Sequence, residues 1–250
     1  SLVVEHLVER FGIGVIRKIL TELGNGTEIN AAIAKHTEPM AKLEVAFEKY
    51  ARAKAQALAP ELDWSKPEAA ALRGSIAELA KRHPKNFYVL TQQATRAINR
   101  KEWEAAKEPC RKLIKLFPRQ VGGGPNAYVL LARAHRELKE FTDERRTLEA
   151  LAGMSDDAYP IFVRLMELYA GAKDWPAVRA NGERALAVNP LQPEPYRLLA
   201  LAAEAQQEPV AAIESWQTLL KLEPLDPAEA HYRLARLLRT KDNAKAKRHL

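Results

Sequence analysis

Along the last two thirds of the chain, apolar residues recur at helical spacing, and the runs stop on prolines. AELAKRHP, RKLIKLFP, ERALAVNP and QTLLKLEP close on Pro84, Pro118, Pro190 and Pro224; the first two prolines lie 34 residues apart, and so do the last two. Proline lacks the N–H and its ring clashes with the preceding turn, so each of these endings marks a helix stop. A helical period in the thirties predicts a stack of helix pairs, each burying its apolar face on the next pair. From Pro118 to Pro190 the interval is 72, two periods plus four, and the surplus falls in the glycine-rich stretch Val121–Gly124. The pattern predicts first (A) helices near residues 87–99, 126–138, 159–171, 194–206 and 228–239, each followed by a second (B) helix. Trp175 and Trp216 are expected on B helices, mostly buried. Residues Pro67–Pro84 read as a lone B helix.

Residues 1–64 are also helical but lack this beat. Leu2, Val3, Leu7, Val8 and Phe11 share one face before Gly12 breaks the run, and Val15, Ile16, Ile19 and Leu20 follow at the same spacing. Thr27 is placed to N-cap a short helix through Ile33. MAKLEVAFEKYARAKAQAL predicts a longer helix, and ALAPELDWSKP, with two prolines around Trp64, reads as a hinge. The expected organisation is a helical region over 1–64 and a repeat array over 65–250.

Two resemblances follow. The unit Phe162, Leu165-Met166, Tyr169, Trp175, Val178, Ala185, Pro190 and its successor Tyr196, Leu199-Ala200, Ala203, Ala212, Trp216, Leu219, Pro224 resemble the tetratricopeptide repeat. Another copy starts at Tyr128 but has Glu144 where a small residue is usual, and Asp156 in place of the proline. The resemblance implies an all-α, right-handed superhelical solenoid of about five helix pairs. It also implies a protein–protein interaction scaffold whose inner groove binds a peptide or protein. The last copy stops inside its second helix, so the array is expected to continue past Leu250. Residues 1–64 resemble the helical tail of gluzincin-type metallopeptidase domains of bacterial proteins. Such domains hold zinc on a helical H-E-x-x-H, where two histidines one turn apart share a face. None of the six histidines here is followed by Glu. No catalytic residue and no metal site therefore carries over. The chain opens on Ser1, not Met, and is read as a piece of a longer protein. The alternative function is then a non-catalytic accessory part of a zinc peptidase whose active site lies upstream.

Composition narrows the classes. A single cysteine, Cys110, excludes an internal disulfide and a Cys-based zinc site. Apolar runs fall short of the ~20 residues that span a bilayer. No cofactor motif is present: Gly122-Gly123-Gly124 lacks the Lys-Ser/Thr of a phosphate loop. The formal charge of +7 suits an anionic partner, but no nucleic-acid module accompanies it, so the reading is against nucleic acid.

The positive charge concentrates on A-helix positions that packing does not use. These are Asn126, Val129, Arg133 and Arg136, then Arg164 and Glu167, then Glu194, Arg197 and Glu204, and last Tyr232, Arg233, Arg236 and Arg239. Arginine grips carboxylates with a planar fork. The candidate groove is accordingly Arg133, Arg136, Arg164, Arg197, Tyr232, Arg233, Arg236 and Arg239, facing an acidic peptide. The competing expectation is that these arginines pair with Glu137, Glu167, Glu194 and Glu204 of the chain itself.

Overall fold

The structure, a computed structural model, describes residues 1–68, 74–120, 126–239 and 243–249. It divides into two compact units, 1–62 and 63–250. The glycine-rich insertion Val121–Gly124 lies outside the described residues.

The first unit contains α1 (Leu2–Phe11), α2 (Ile13–Gly24), α3 (Ile29–His36) and α4 (Met40–Leu58). Gly12, at φ 80°, turns the chain between α1 and α2 in a conformation that strains any residue with a Cβ. Leu7, Val15, Ile19, Ala32 and Leu43 form the core. Helices this short bury one side only, and Leu2, Val3 and Leu20 from the predicted faces lie exposed. The cap of α3 is Glu28 and not Thr27. The Glu28 carboxylate accepts from the backbone N–H groups of Asn30 (2.8 Å) and Ala31 (3.1 Å), while the Thr27 hydroxyl donates to Glu22.

The second unit begins at the predicted hinge, which is bonded to the array. Asp63 N–H donates to Lys85 O (3.0 Å) and Phe87 N–H to Asp63 O (2.9 Å), an isolated parallel bridge. Among the described residues there is no strand beyond it. Asn86, almost fully buried, donates to Asp63 Oδ2 (2.8 Å) and to Ser65 O (2.7 Å), and its own oxygen caps the first A helix at Val89 N–H. Bonds from Asn86 and Ser65 hold the Asp63 carboxyl at about 2. Trp64 stacks on Phe87 with ring centroids 4.9 Å apart.

The array runs α5 (Ile76–Arg82), α6 (Phe87–Asn99), α7 (Trp103–Leu116), α8 (Ala127–Glu137), α9 (Phe141–Ala152), α10 (Tyr159–Gly171), α11 (Trp175–Val188), α12 (Pro193–Ala205), α13 (Pro209–Lys221), α14 (Ala228–Leu238) and α15 (Asn243–Ala246). The A helices α6, α8, α10, α12 and α14 fall where the period places them. The first four A–B turns are too short for anything but an antiparallel return, and each is closed by one residue in the left-handed region: Lys101, Lys139, Lys173 and Gln207, at φ 58–61°.

Phe162, Leu165, Met166, Val178, Ala185, Leu198 and Ala202 form the central core. Trp216 is fully buried, whereas Trp175 is half-buried and Phe141 is half-exposed at the start of its B helix. Packing alternates along the inner face. Helix α6 packs on α8 and α10 on α12, but α8 stands off α10, and α12 off α14. These two gaps open the inner face.

Candidate functional site

The gap between α8 and α10 forms a hollow of about 570 Å³. Buried Ala132 and Leu148 form its apolar floor, with Val129, Ile161 and Val163 around it; Arg133, Arg136 and Glu137 stand on the α8 side, Arg164 and Glu167 on the α10 side, and Glu194 of α12 at its edge. Arg164 and Glu167 also line a second hollow of about 470 Å³, between α9 and the end of α10, with Phe141, Arg145 and Leu168. Asn126, expected to face inward, is spent as the cap of α8: its Oδ1 accepts from Tyr128 and Val129 N–H.

Between the two walls lies Glu144, a fully buried carboxylate on α9. It accepts from Arg136 Nε at 2.7 Å, from Arg164 Nε at 2.8 Å and from Arg164 Nη2 at 2.9 Å. Burial pushes its pKa up, but the Arg164 and Arg136 guanidiniums outweigh that and hold it below the ordinary carboxylate value. Arg164 donates its remaining Nη1 to Glu167 (2.6 Å), and its own pKa is pushed up by the Glu144 bonds. A buried charge is tolerable only when paired and hydrogen-bonded on all sides, and here two arginines from different repeats do the pairing. Sequence reasoning noted Glu144 as a departure from the repeat but did not place it in the site. The signal was that departure, since a large acid at a small-residue position needs a cation nearby.

The arginines are not equivalent. Arg197 donates from Nε and Nη2 to Glu194 (3.0 and 2.7 Å) and also approaches Glu229 at 3.7 Å. Those bonds raise its pKa against desolvation. Arg233 bonds Glu204 and Glu229, both at 3.3 Å, and Arg236 also bonds Glu204. Glu204 accepts a third bond, from Trp216 Nε1 at 2.8 Å. Arg197 lines a separate hollow of about 320 Å³ with Trp216 and Leu225, and Arg236 another of about 310 Å³. Tyr232 and Arg239 are exposed and line neither. Of the predicted internal partners, Glu167, Glu194 and Glu204 take arginines, and Glu144 and Glu229 join them. Glu137 makes no hydrogen bond or ion pair among the described residues. Arg133 makes no ion pair there either, and lies over the Trp103 ring with its guanidinium 5.7 Å from the centroid. Arg136 spends only Nε.

One further cluster brings ligating atoms together. His135, Glu140 and Asp143 place one such atom each within 4.8 Å of one another. Lys107 Nζ, however, donates to both Glu140 oxygens (3.0 and 3.1 Å), and His135 Nδ1 donates to the same carboxylate. A cation at that spot would meet the lysine charge, so the cluster is a packed ion network between repeats. Cys110 is buried, and burial pushes its thiol up to about 12, which leaves it an inert apolar residue. Among the described residues no helix is long and apolar enough to cross a membrane.

No family model matches the sequence, and no curated protein does. Solved structures do match in shape. One is YrrB, described as a TPR protein with an unusual peptide-binding site: TM-score 0.58 at 14% identity, covering 70% of this chain and 88% of that one. The MamA protein matches with TM-score 0.57 at 15% identity, covering 65% and 86%. MamA from Desulfovibrio magneticus RS-1 matches with TM-score 0.52 at 18% identity, covering 70% and 92%. Helix pairs at the predicted period, left-handed residues at the first four A–B turns and these likenesses agree: the array has the tetratricopeptide-repeat fold.

Proposed function

We propose that this chain is a non-catalytic interaction scaffold that binds a peptide or protein segment along the inner face of its repeats. The observation that carries the reading is the depression between α8 and α10, whose Arg164 and Glu167 also line a second hollow. Exposed side chains of its A helices, Arg133 and Arg136 among them, stand around it, and its volume of about 570 Å³ lies in the range of binding clefts. The peptide-binding site named for YrrB supports the same class of partner. The internal pairing of Arg164, Arg197, Arg233 and Arg236 argues against a uniformly acidic ligand spread along the whole array, because paired charges have less to gain from one. The alternative, an accessory part of a zinc peptidase, rests on the sequence likeness of residues 1–64 alone.

The test is selection of binders from a random nonapeptide library, followed by titration against Val129→Trp, which places an indole in the mouth of the α8–α10 hollow. Selected peptides should lose at least about tenfold in affinity, ~1.4 kcal/mol. Failure to select any binder, or binders indifferent to the added indole, would refute the reading.

A further inference from the structure

We propose that the α8–α10 hollow receives an extended partner segment through an internal aspartate or glutamate side chain, which docks on Arg133 and Arg136. The inference rests on the inner-face reading above and names the chemistry that reading leaves open.

Charge complementarity supports it. The arginines around the α12–α14 gap are each ion-paired to Glu194, Glu204 or Glu229. At the α8–α10 gap, Arg133 has no ion pair among the described residues, and Arg136 keeps both Nη groups free. Three and four residues apart are neighbours on a helix, so Arg133 and Arg136 can present their forks to one carboxylate. Buried Glu144 fixes Arg136 through Nε and so reduces the side-chain entropy lost when a ligand is gripped. Glu144 is thus a positioning residue. Of the three glutamates that line the hollow, Glu167 and Glu194 are paired with Arg164 and Arg197, so Glu137, without a bond, is the one whose charge repels an incoming carboxylate.

The shape selects a side chain over a chain end. The hollow is open to solvent and not an enclosed cavity, so an extended segment can lie across it with both of its ends outside. Val129 and Val163 offer apolar surface beside the arginines, which suits an apolar neighbour of the acidic residue.

The experiment uses the full chain and nonapeptides selected from the random library, N-acetylated and C-amidated so that the only carboxylates are side chains. Selected sequences should carry one Asp or Glu flanked by apolar residues, and Asp→Asn in the peptide should weaken binding about tenfold, ~1.4 kcal/mol. In Arg133→Gln/Arg136→Gln that Asp-to-Asn ratio should fall to near one, whereas Arg233→Gln should keep it. Glu144→Gln should lower the ratio as well, an effect that general loosening, which weakens both peptides alike, does not produce. Glu137→Gln should strengthen the Asp peptide about two- to threefold, and it decides the matter if circular dichroism shows the double variant unfolded. The proposal is overturned if the double variant keeps the ratio, if Glu137→Gln gives no gain, or if selected peptides are basic or lack acids. It is also overturned if discrimination appears only with a free C-terminal carboxylate. Those outcomes leave the scaffold reading standing, whereas the absence of any binder overturns both.

Discussion

Arg164 and Glu144 form a two-pronged contact across a repeat boundary: Nε and Nη2 of the arginine on α10 meet the two oxygens of a fully buried carboxylate on α9, at 2.8 and 2.9 Å. Because Arg136 from α8 bonds the same carboxylate, three helices of two successive repeats are tied to one buried charge. The contact bridges the two inner helices beside the apolar cluster of Ala132, Leu148 and Phe162, so an ion network adds to apolar packing there.

Removing the carboxylate charge should therefore cost more than a surface ion pair. Breaking a buried pair costs ~3–5 kcal/mol, and with both arginines partly in solvent Glu144→Gln is expected near the lower end. Glu144 has a folded pKa below its unfolded value, which for a glutamate is about 4.3. Its contribution is present above that value and is lost as pH falls through the depressed folded one. Urea melts at pH 7 and at successively lower pH should show wild type losing its advantage over Glu144→Gln in acid. A difference that does not change with pH would contradict this account.

Trp216 fills the core between α12, α13 and α14 with no exposed surface, and its indole N–H donates to Glu204. Trp216→Ala should destabilise by about 3–5 kcal/mol. Trp216→Phe keeps most of the volume and should cost less, the lost hydrogen bond contributing ~1 kcal/mol. Equal losses in the two variants, read by chemical denaturation, would show that volume is not what this position supplies.

Gly182 sits where α10, α11 and α12 approach one another. A Cβ there would lie 2.8 Å from Leu199 Cδ2 and 3.0 Å from Met166 Cε. Both atoms are flexible side-chain ends, so Gly182→Ala should be near neutral, the ~1 kcal/mol helix-propensity gain offsetting their displacement. Gly182→Leu cannot be absorbed in that way and should cost about 1–3 kcal/mol or more. Thermal melts of the two variants distinguish this contact from a merely small-residue preference.

Lys139 and Lys173 hold left-handed backbone at φ 60° and 58°. A residue with a Cβ is strained there by ~1–2 kcal/mol, part of which glycine recovers after its own entropy cost. Lys173→Gly is expected to raise stability by about 0.5–1 kcal/mol. Lys173→Val should lower it, because β-branching worsens the clash. A melting temperature that ranks valine above glycine would show that the turn relaxes to another conformation.

The chain's pattern alone determined the helix pairs, their period and their stops. Apolar spacing and proline positions act locally, and short turns leave adjacent helices little choice but to return antiparallel. It also identified Trp216 and Phe162 as core, because large apolar side chains at the repeat's wedge positions have nowhere else to go. It could not distribute the arginines. Arg133 and Arg197 occupy equivalent-looking inner positions, yet Arg197 is gripped by Glu194 and Arg133 lies over Trp103. That difference depends on which carboxylates neighbouring helices bring within reach, through packing distances that no local rule encodes. The same holds for Glu144: in sequence it is an irregularity, and only the approach of α8, α9 and α10 makes it the anchor of two arginines. Fold follows from periodic burial, which one dimension records; the charge pattern of the groove follows from pairings across repeats, which only the assembled helices decide.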